Sequence, residues 1–266
     1  MLQSLVTLDL SDNMLMGPIP STLGHLTNLE YLGLASNQID GFIPPEIGNM
    51  KYLSKLFLDN NNLDGQIPST IGHLTNLKSL SLASNQIGGS IPQEIGNMKN
   101  LSQLFLHNNS LIGPIPSTIG NLTYLERLDL SLNQIKGSIP VEIGGLTSLF
   151  ELYLDYNDLS GPIPTQIAGI SSLQYLKLSH NFLSGNIIGL EALSHLLSDL
   201  SYNNLTGNIP PIFISISLNL SYNSLSGQIP DNYDQIQTSY TLIATTIYAV
   251  ISWVSLPAFQ PVTNQM

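Results

Sequence analysis

Three kinds of side chain that could take part in catalysis or binding recur along this sequence at one fixed spacing. Carboxylates recur at Glu46, Glu94 and Glu142, and histidines recur at the same interval at His25 and His73. Such groups serve general acid–base catalysis and metal binding when they converge on one point. Aromatic rings follow the same interval at Phe57, Phe105 and Tyr153. The shared interval indicates that these residues are copies of positions in a repeated unit, spread along the molecule rather than gathered in one site.

The repeated unit is marked most clearly by asparagine. Eight asparagines are evenly spaced, at half the interval of the rings, and two more follow at slightly shorter steps: Asn13, Asn37, Asn61, Asn85, Asn109, Asn133, Asn157, Asn181, Asn203 and Asn223. A leucine stands three residues before each asparagine and a glycine four residues after it. The consensus LxxLxLxxNxLxGxIPxxIGxLxx, recurring with a period of this length, is the signature of leucine-rich repeats.

The positions of the unit have distinct physical roles. In Leu80-Ser81-Leu82 the alternation places both leucines on one face of a short strand and Ser81 on the other. The strand then turns sharply at Asn85, where peptide groups inside the coil need partners. A carboxamide donates and accepts hydrogen bonds at once, so we expect a structural ladder of buried asparagines that satisfies the turns of adjacent repeats.

The form of the repeat, seen in "LIGPIPSTIGNLTYL", resembles the plant-specific class of leucine-rich repeat found in ectodomains of plant receptor-like kinases. The resemblance covers residues 2 to about 230. It implies an α/β fold: a right-handed solenoid of about ten repeats with a parallel β-sheet on the concave face. The convex face would carry 3₁₀ or short helical turns, and the Gly-x-Ile-Pro stretch would add a second, smaller sheet.

The sequence predicts two regions. Residues 1–230 form the repeat domain, with degenerate repeats from about residue 186, and residues 231–266 form a non-repeat apolar tail. Two interpretations of residues 241–259 stay open, a transmembrane segment or an unpacked tail. The signal peptide, the cysteine-containing caps and the kinase of the family are not visible, so we expect a truncated or fragmentary product.

Composition excludes several classes of function. A net charge of −11 with seven Lys or Arg argues against nucleic-acid binding. The lack of cysteine excludes thiol catalysis and Cys-ligated zinc. Common enzyme motifs, including the kinase signature set, do not occur. We therefore expect no enzyme activity, no catalytic residue, no metal and no cofactor. The recurrent glutamates and histidines are best explained as copies on a solvated face.

Variable residues on a constant scaffold are the candidates for ligand binding. Phe57, Phe105 and Tyr153 occupy alternate strands, about 10 Å apart at the usual strand spacing, where aromatic rings suit peptide side chains. Polar candidates flank these rings at Lys55, Asp59, His107, Arg127, Asp155 and Tyr156. The alternative, that a duplication spanning two repeats merely copied one phenylalanine, stays open.

These observations, with the resemblance, favour an extracellular recognition module for a peptide or protein ligand, with a co-receptor of the same repeat class as a further partner. The expected location is the outer side of the plasma membrane or the cell wall space. Five N-x-S/T sequons are candidate glycosylation sites: Asn100, Asn108, Asn121, Asn204 and Asn219. The alternatives are a secreted inhibitor of a foreign enzyme, similar to polygalacturonase inhibitors, and a non-functional fragment.

Overall fold

The computed structural model describes residues 4–190, 197–210 and 217–229. Each repeat begins with a short strand, turns at the asparagine, forms an outer extended segment and returns through the convex side. Each turn of the coil stacks on the previous one, so strands of successive repeats pair in parallel. The predicted solenoid, with its parallel sheet and 3₁₀ turns, is confirmed.

The concave sheet contains ten parallel strands within the described residues. Its register follows the repeat, because Leu56, Leu80 and Leu104 are direct partners. The strands are Thr7–Asp9, Tyr31–Gly33, Lys55–Phe57, Ser79–Ser81, Gln103–Phe105, Arg127–Asp129, Glu151–Tyr153, Tyr175–Lys177, Leu197–Asp199 and Ser217–Asn219.

The outer segments form a second layer of parallel pairing, interrupted once. A three-stranded sheet comprises Met16–Pro18, Gln38–Phe42 and Asn62–Asp64. A six-stranded sheet comprises Ile112–Gly113, Gln134–Gly137, Asp158–Pro162, Phe182–Gly185, Asn204–Asn208 and Ser224–Ser226. Between them, Gly88 N donates to Gly65 O at 2.7 Å, but only an isolated bridge forms. The tandem Gly88-Gly89 has no side chains to support a strand.

The convex side of the described repeats is built from 3₁₀ helices of five residues each. They are Ser21–His25, Pro45–Asn49, Ser69–His73, Gln93–Asn97, Ser117–Asn121, Val141–Gly145 and Thr165–Gly169. A proline in extended conformation precedes each one, as at Pro92 with φ −68°. These helices pack very closely on one another, since a Cβ atom on Gly96 would lie 2.4 Å from the carbonyl oxygen of Thr118.

The core is a continuous column of aliphatic side chains. Every inward position of one repeat is almost fully buried, with exposures of 0–4% at Leu77, Leu80, Leu82, Ile87, Ile91, Ile95 and Met98. One repeat could not bury this face alone, and stacking of neighbours supplies the missing contacts.

Asparagine side chains satisfy the turns between repeats. Nδ2 of Asn157 donates to the carbonyl oxygens of Leu154, at 3.2 Å, and Leu130, at 2.9 Å, in its own repeat and the preceding one. Oδ1 of Asn157 accepts the Ile135 N–H at 3.0 Å. The residue before each asparagine has a φ of 53–55°, from Asp12 to Tyr222. Each turn therefore contains one residue in the left-handed backbone conformation and the hydrogen bonds of one asparagine side chain, which we call the amide clamp.

None of the described residues belongs to a helix that is long and apolar enough to cross a membrane. Residues 231–266, which hold the predicted apolar tail and its candidate transmembrane segment, lie outside the described residues.

Candidate functional site

The predicted aromatic row lies in the middle of the concave sheet. Phe57, Ser81, Phe105, Asp129 and Tyr153 are successive register partners on five neighbouring strands. The three rings thus alternate with smaller side chains, which leaves spaces between them along the direction of stacking.

The rings are half-buried rather than fully exposed, because each one contacts a neighbouring side chain. Phe57 meets Tyr31 edge-on with ring centroids 5.7 Å apart, and Phe105 meets His107 at 6.5 Å. Nζ of Lys177 lies 4.9 Å from the centroid of the Tyr153 ring, within the range of a cation–π interaction. The sequence did not reveal these contacts, which fix the orientation of each ring.

A histidine–aspartate pair occupies the centre of the same face. Nδ1 of His107 lies 3.1 Å from Oδ2 of Asp129, although the N–H does not point squarely at that oxygen. Contact with Asp129 raises the pKa of His107 and outweighs the opposing effect of burial. Burial alone would raise the pKa of Asp129, but His107 and the hydroxyl and amide of Ser131 hold that pKa below its usual value.

Asp155 is the least satisfied acid of this surface. Its Oδ1 atom is buried and has no hydrogen-bond partner. Burial raises the pKa of Asp155, its own backbone amide and Lys177 oppose the shift, and the negative charges of Asp129 and Asp199 add to it. This oxygen is closed off from solvent, so its missing partner disfavours the ionised carboxylate and does not offer a contact to a ligand.

The remaining polar candidates lie on the same sheet. Nε of Arg127 is 3.6 Å from Oε2 of Glu151 on the next strand. Lys55 is exposed at the start of its strand, and Oδ2 of Asp59 accepts a hydrogen bond from Nδ2 of Asn60 at 3.0 Å. Both charge signs are therefore present beside the rings, with acids in excess.

Tyr156 lies at the edge of this sheet and belongs to a stack that sequence reasoning missed. Its ring stacks on His180, which stacks on Tyr202, which stacks on Tyr222, with centroids 4.2, 4.1 and 4.0 Å apart. The signal was present in the sequence, because an aromatic or imidazole ring precedes the ladder asparagine in four consecutive repeats.

The sequons fall on different surfaces. Asn121 is exposed at the end of a convex 3₁₀ helix, and Asn204 is exposed at the start of an outer strand. Nδ2 of Asn100 donates to Thr75 O at 2.9 Å. Asn108 is exposed at a left-handed turn, and Asn219 lies on the concave sheet. Asn100, Asn108, Asn121 and Asn204 are all exposed, and glycosylation of the five sequons stays a prediction.

The concave face has the chemistry of a recognition surface. Oriented rings and charged side chains of both signs can bind a polar, partly apolar chain laid across the strands. Among the residues that the structure describes, no group of three or more His, Asp or Glu side chains could hold a metal ion.

Family models for leucine-rich repeats match most of the sequence. A "Leucine-rich repeat region" matches residues 1–111, and a "Leucine rich repeat" matches residues 116–159. A further "Leucine Rich Repeat" model matches residues 172–196, 199–216 and 216–235. The chain is thus a repeat-built binding module rather than a catalytic domain.

Solved structures agree with this assignment. The ectodomain of the Arabidopsis thaliana receptor kinase GASSHO1/SCHENGEN3, in complex with CASPARIAN STRIP INTEGRITY FACTOR 2, is 44% identical with a TM-score of 0.83, over 85% of this chain and 28% of that chain. The Arabidopsis receptor kinase HAESA, in complex with the peptide hormone IDA and the co-receptor SERK1, is 35% identical with a TM-score of 0.76, over 85% of this chain and 43% of that chain.

A plant ice-binding protein is 30% identical with a TM-score of 0.74, over 86% of this chain and 76% of that protein. The chain spans less than half the length of the two receptor-kinase chains, at 28% and 43%. Period, fold and similarity agree: the chain belongs to the leucine-rich repeat family and is similar to the ectodomains of plant receptor kinases.

Proposed function

We propose that this chain is an extracellular recognition module that binds a peptide across the middle of its concave face. The observation that carries the proposal is the alternation of three oriented rings with smaller residues on five neighbouring strands. The similarity to ectodomains solved with a peptide hormone supports the same kind of ligand. In this role the chain belongs to a signalling assembly at the cell surface, which includes a co-receptor of the same repeat class.

The ligand occupies the strands from Lys55 to Lys177. Its apolar side chains fill the spaces between Phe57, Phe105 and Tyr153, and its hydrogen-bond donors meet the partly exposed Asp59. Anchors of this kind commonly contribute about 2 kcal/mol or more each, which corresponds to about a thirtyfold loss of affinity on truncation. The surrounding polar groups orient the chain rather than supply most of the affinity.

The test replaces the three rings with serine, the residue that the protein itself has at the equivalent position Ser81. The probe is a panel of short synthetic peptides, selected on the wild-type chain by display. Selected peptides should lose at least thirtyfold in affinity for the variant. The control is a triple alanine variant of the convex glutamates Glu46, Glu94 and Glu142, which should bind normally.

Thermal unfolding of both variants separates loss of binding from loss of structure. The half-buried rings contribute some stability, so the serine variant should melt lower but remain folded at the assay temperature. If none of the peptides selected on the wild-type chain loses affinity for this folded variant, the rings are only relics of a duplication.

Ice binding is a second candidate function. It is favoured by the 76% coverage of a plant ice-binding protein and by a chain in which only 9% of residues are charged. The second residue of successive convex 3₁₀ helices, however, alternates between threonine, at Thr22, Thr70 and Thr118, and the three glutamates. The charged glutamates break up what would otherwise be a regular uncharged row of threonines. Inhibition of ice recrystallisation by the purified chain would favour this function, and no inhibition would exclude it.

A further inference from the structure

One edge of the concave sheet changes character halfway along the solenoid. The edge is formed by the residue before each ladder asparagine, and in the first five repeats this residue is polar: Asp12, Ser36, Asn60, Ser84 and Asn108. In the next five it is apolar or a ring. We name these five the edge strip: Leu132, Tyr156, His180, Tyr202 and Tyr222.

Residues of this kind are unusual at these positions. All ten edge residues have a φ between 53° and 55°, a left-handed conformation that asparagine adopts readily and bulky side chains rarely adopt. Core packing does not require rings there, because the five polar residues of the same edge have the same backbone conformation. Stacking gives the four rings of the edge strip a role in stability, and the part of each ring that stays exposed can serve a second role.

The rings present their edges, and not their faces, to solvent. Tyr156, His180, Tyr202 and Tyr222 stack with interplanar angles of 10–14°, so the inner ring faces are covered by neighbouring rings. Even so, Tyr156, Tyr202 and Tyr222 are 48%, 42% and 57% exposed, and Leu132 is 47% exposed. The strip is a continuous, preorganised apolar surface with hydroxyl groups, and such surfaces mark interaction sites.

The surroundings of the edge strip carry more acids than bases, the nearby bases being Lys177, which acts on Asp155, and Lys136, the register partner of Asp158. No Lys or Arg occurs in the sequence after Lys177. Asp155 precedes Tyr156 directly, Asp158 follows two residues later, and Asp199 lies on the strand that leads to Tyr202. Burial is the main cause of the raised pKa of Asp155, Lys177 opposes the shift, and the negative charges of Asp129 and Asp199 add to it.

These features argue against three classes of partner and favour a fourth. Sugars stack on exposed ring faces, which the inner rings of the strip do not offer. Nucleic acids are repelled by the carboxylates, and so is a second copy of this chain, which would bring the same carboxylates to the contact. A surface with cationic and apolar groups fits both the charge and the ring edges.

We propose that the edge strip is a docking surface for a second protein, whose contacting surface carries arginine or lysine among apolar side chains. This surface is separate from the central concave rings, so a bound peptide and a docked protein can occupy the chain together. Arginine suits it best, because its planar group packs against rings while its charge faces carboxylates.

The test uses the full chain and a displayed library of short random peptides as the probe. Selection is made on the wild-type chain, with counter-selection on a triple variant, Tyr156→Asn, Tyr202→Asn and Tyr222→Asn. Asparagine is the residue that the chain itself uses at the equivalent positions Asn60 and Asn108, so the turns are preserved. A control variant, Ser36→Asn with Ser84→Asn, changes the polar half of the same edge.

Peptides that support the proposal are enriched in Arg or Lys beside apolar residues. They bind the triple variant at least thirtyfold more weakly, and they bind the control variant and the serine variant of the concave rings as they bind wild type. Recovery of such peptides is independent of whether the concave face binds its own ligand. Enriched peptides without cationic residues, or equal binding to the triple variant, would overturn the proposal.

A second measurement locates the bound peptide on the wild-type chain itself. Iodination of the wild-type chain modifies accessible tyrosines, which mass spectrometry locates. The selected peptide should protect Tyr202 and Tyr222 and leave the exposed convex Tyr124 unprotected. Unchanged labelling of the two strip tyrosines at saturating peptide would refute docking at this edge.

Discussion

Replacing Asn157 with leucine should test the asparagine ladder most directly. Asn157 is 6% exposed and makes the contacts described above with two leucine carbonyls and with the Ile135 N–H. Leucine has the same number and branching of side-chain heavy atoms but neither donates nor accepts a hydrogen bond. The substitution therefore removes the amide clamp while the core column stays filled.

The cost follows from which groups lose their partners. The carbonyl oxygen of Leu130 keeps a second donor in Asn133, and that of Leu154 keeps one in Asn181. The Ile135 N–H loses the amide oxygen that satisfies it. One orphaned buried donor costs about 1–3 kcal/mol, and the weakened carbonyl contacts add roughly 1 kcal/mol. We expect a loss of about 2–4 kcal/mol in the free energy of unfolding.

The assay is urea unfolding followed by far-UV circular dichroism, with hydrogen exchange of the Ile135 amide as a local measurement. By the relation of a tenfold change for about 1.36 kcal/mol, exchange there should quicken by about 30- to 900-fold. Asn13→Leu is the matched control, because Asn13 is exposed and its side chain donates only to Leu10 O and Ser11 O. Equal shifts of the unfolding midpoint in the two variants would refute the ladder argument.

Three further predictions concern packing and charge. Gly96→Ala should destabilise the fold by about 1–3 kcal/mol through overpacking, whereas Gly169→Ala, with no atom within 4 Å of the added Cβ, should be nearly neutral in thermal unfolding. Asp155→Asn should raise the melting temperature at pH 7, because a raised folded-state pKa makes ionisation destabilising; a gain that persists at low pH would contradict this. For His107, the raised pKa means that its contribution to stability is complete below the ordinary histidine pKa of 6.5 and is lost as pH rises through the folded-state pKa. The stability advantage of wild type over His107→Gln should therefore shrink as the pH rises above about 6.5, and a constant difference in urea midpoints would show that the pair with Asp129 is not the cause.

Much of the fold could be predicted from the sequence because equivalent residues of successive repeats have the same surroundings. The period stacks Leu80, Leu82 and Asn85 on the equivalent residues of the other repeats. Stacked leucines pack against one another, and stacked asparagines satisfy the hydrogen bonds of adjacent turns, along the whole solenoid. The same logic placed Phe57, Phe105 and Tyr153 on alternate strands of one face. These conclusions needed only the interval between residues, since strand spacing is a constant of the backbone.

Side-chain contacts between columns needed the tertiary structure. His107 and Asp129 belong to successive repeats and occupy different columns, and they meet because the coil brings one strand beside the next. Gly88 interrupts the outer sheet although it keeps the period of its neighbours.

The edge strip shows most clearly what the sequence determined and what the tertiary structure decided. The sequence determined which residue precedes each asparagine, and so determined the order of the rings. The tertiary structure decided that Tyr202 and Tyr222 stack at 4.0 Å and stay exposed, because ring contact depends on the left-handed turn and on the distance between repeats. Intervals in a sequence fix which residues become neighbours, but only the folded backbone fixes the directions in which their side chains point.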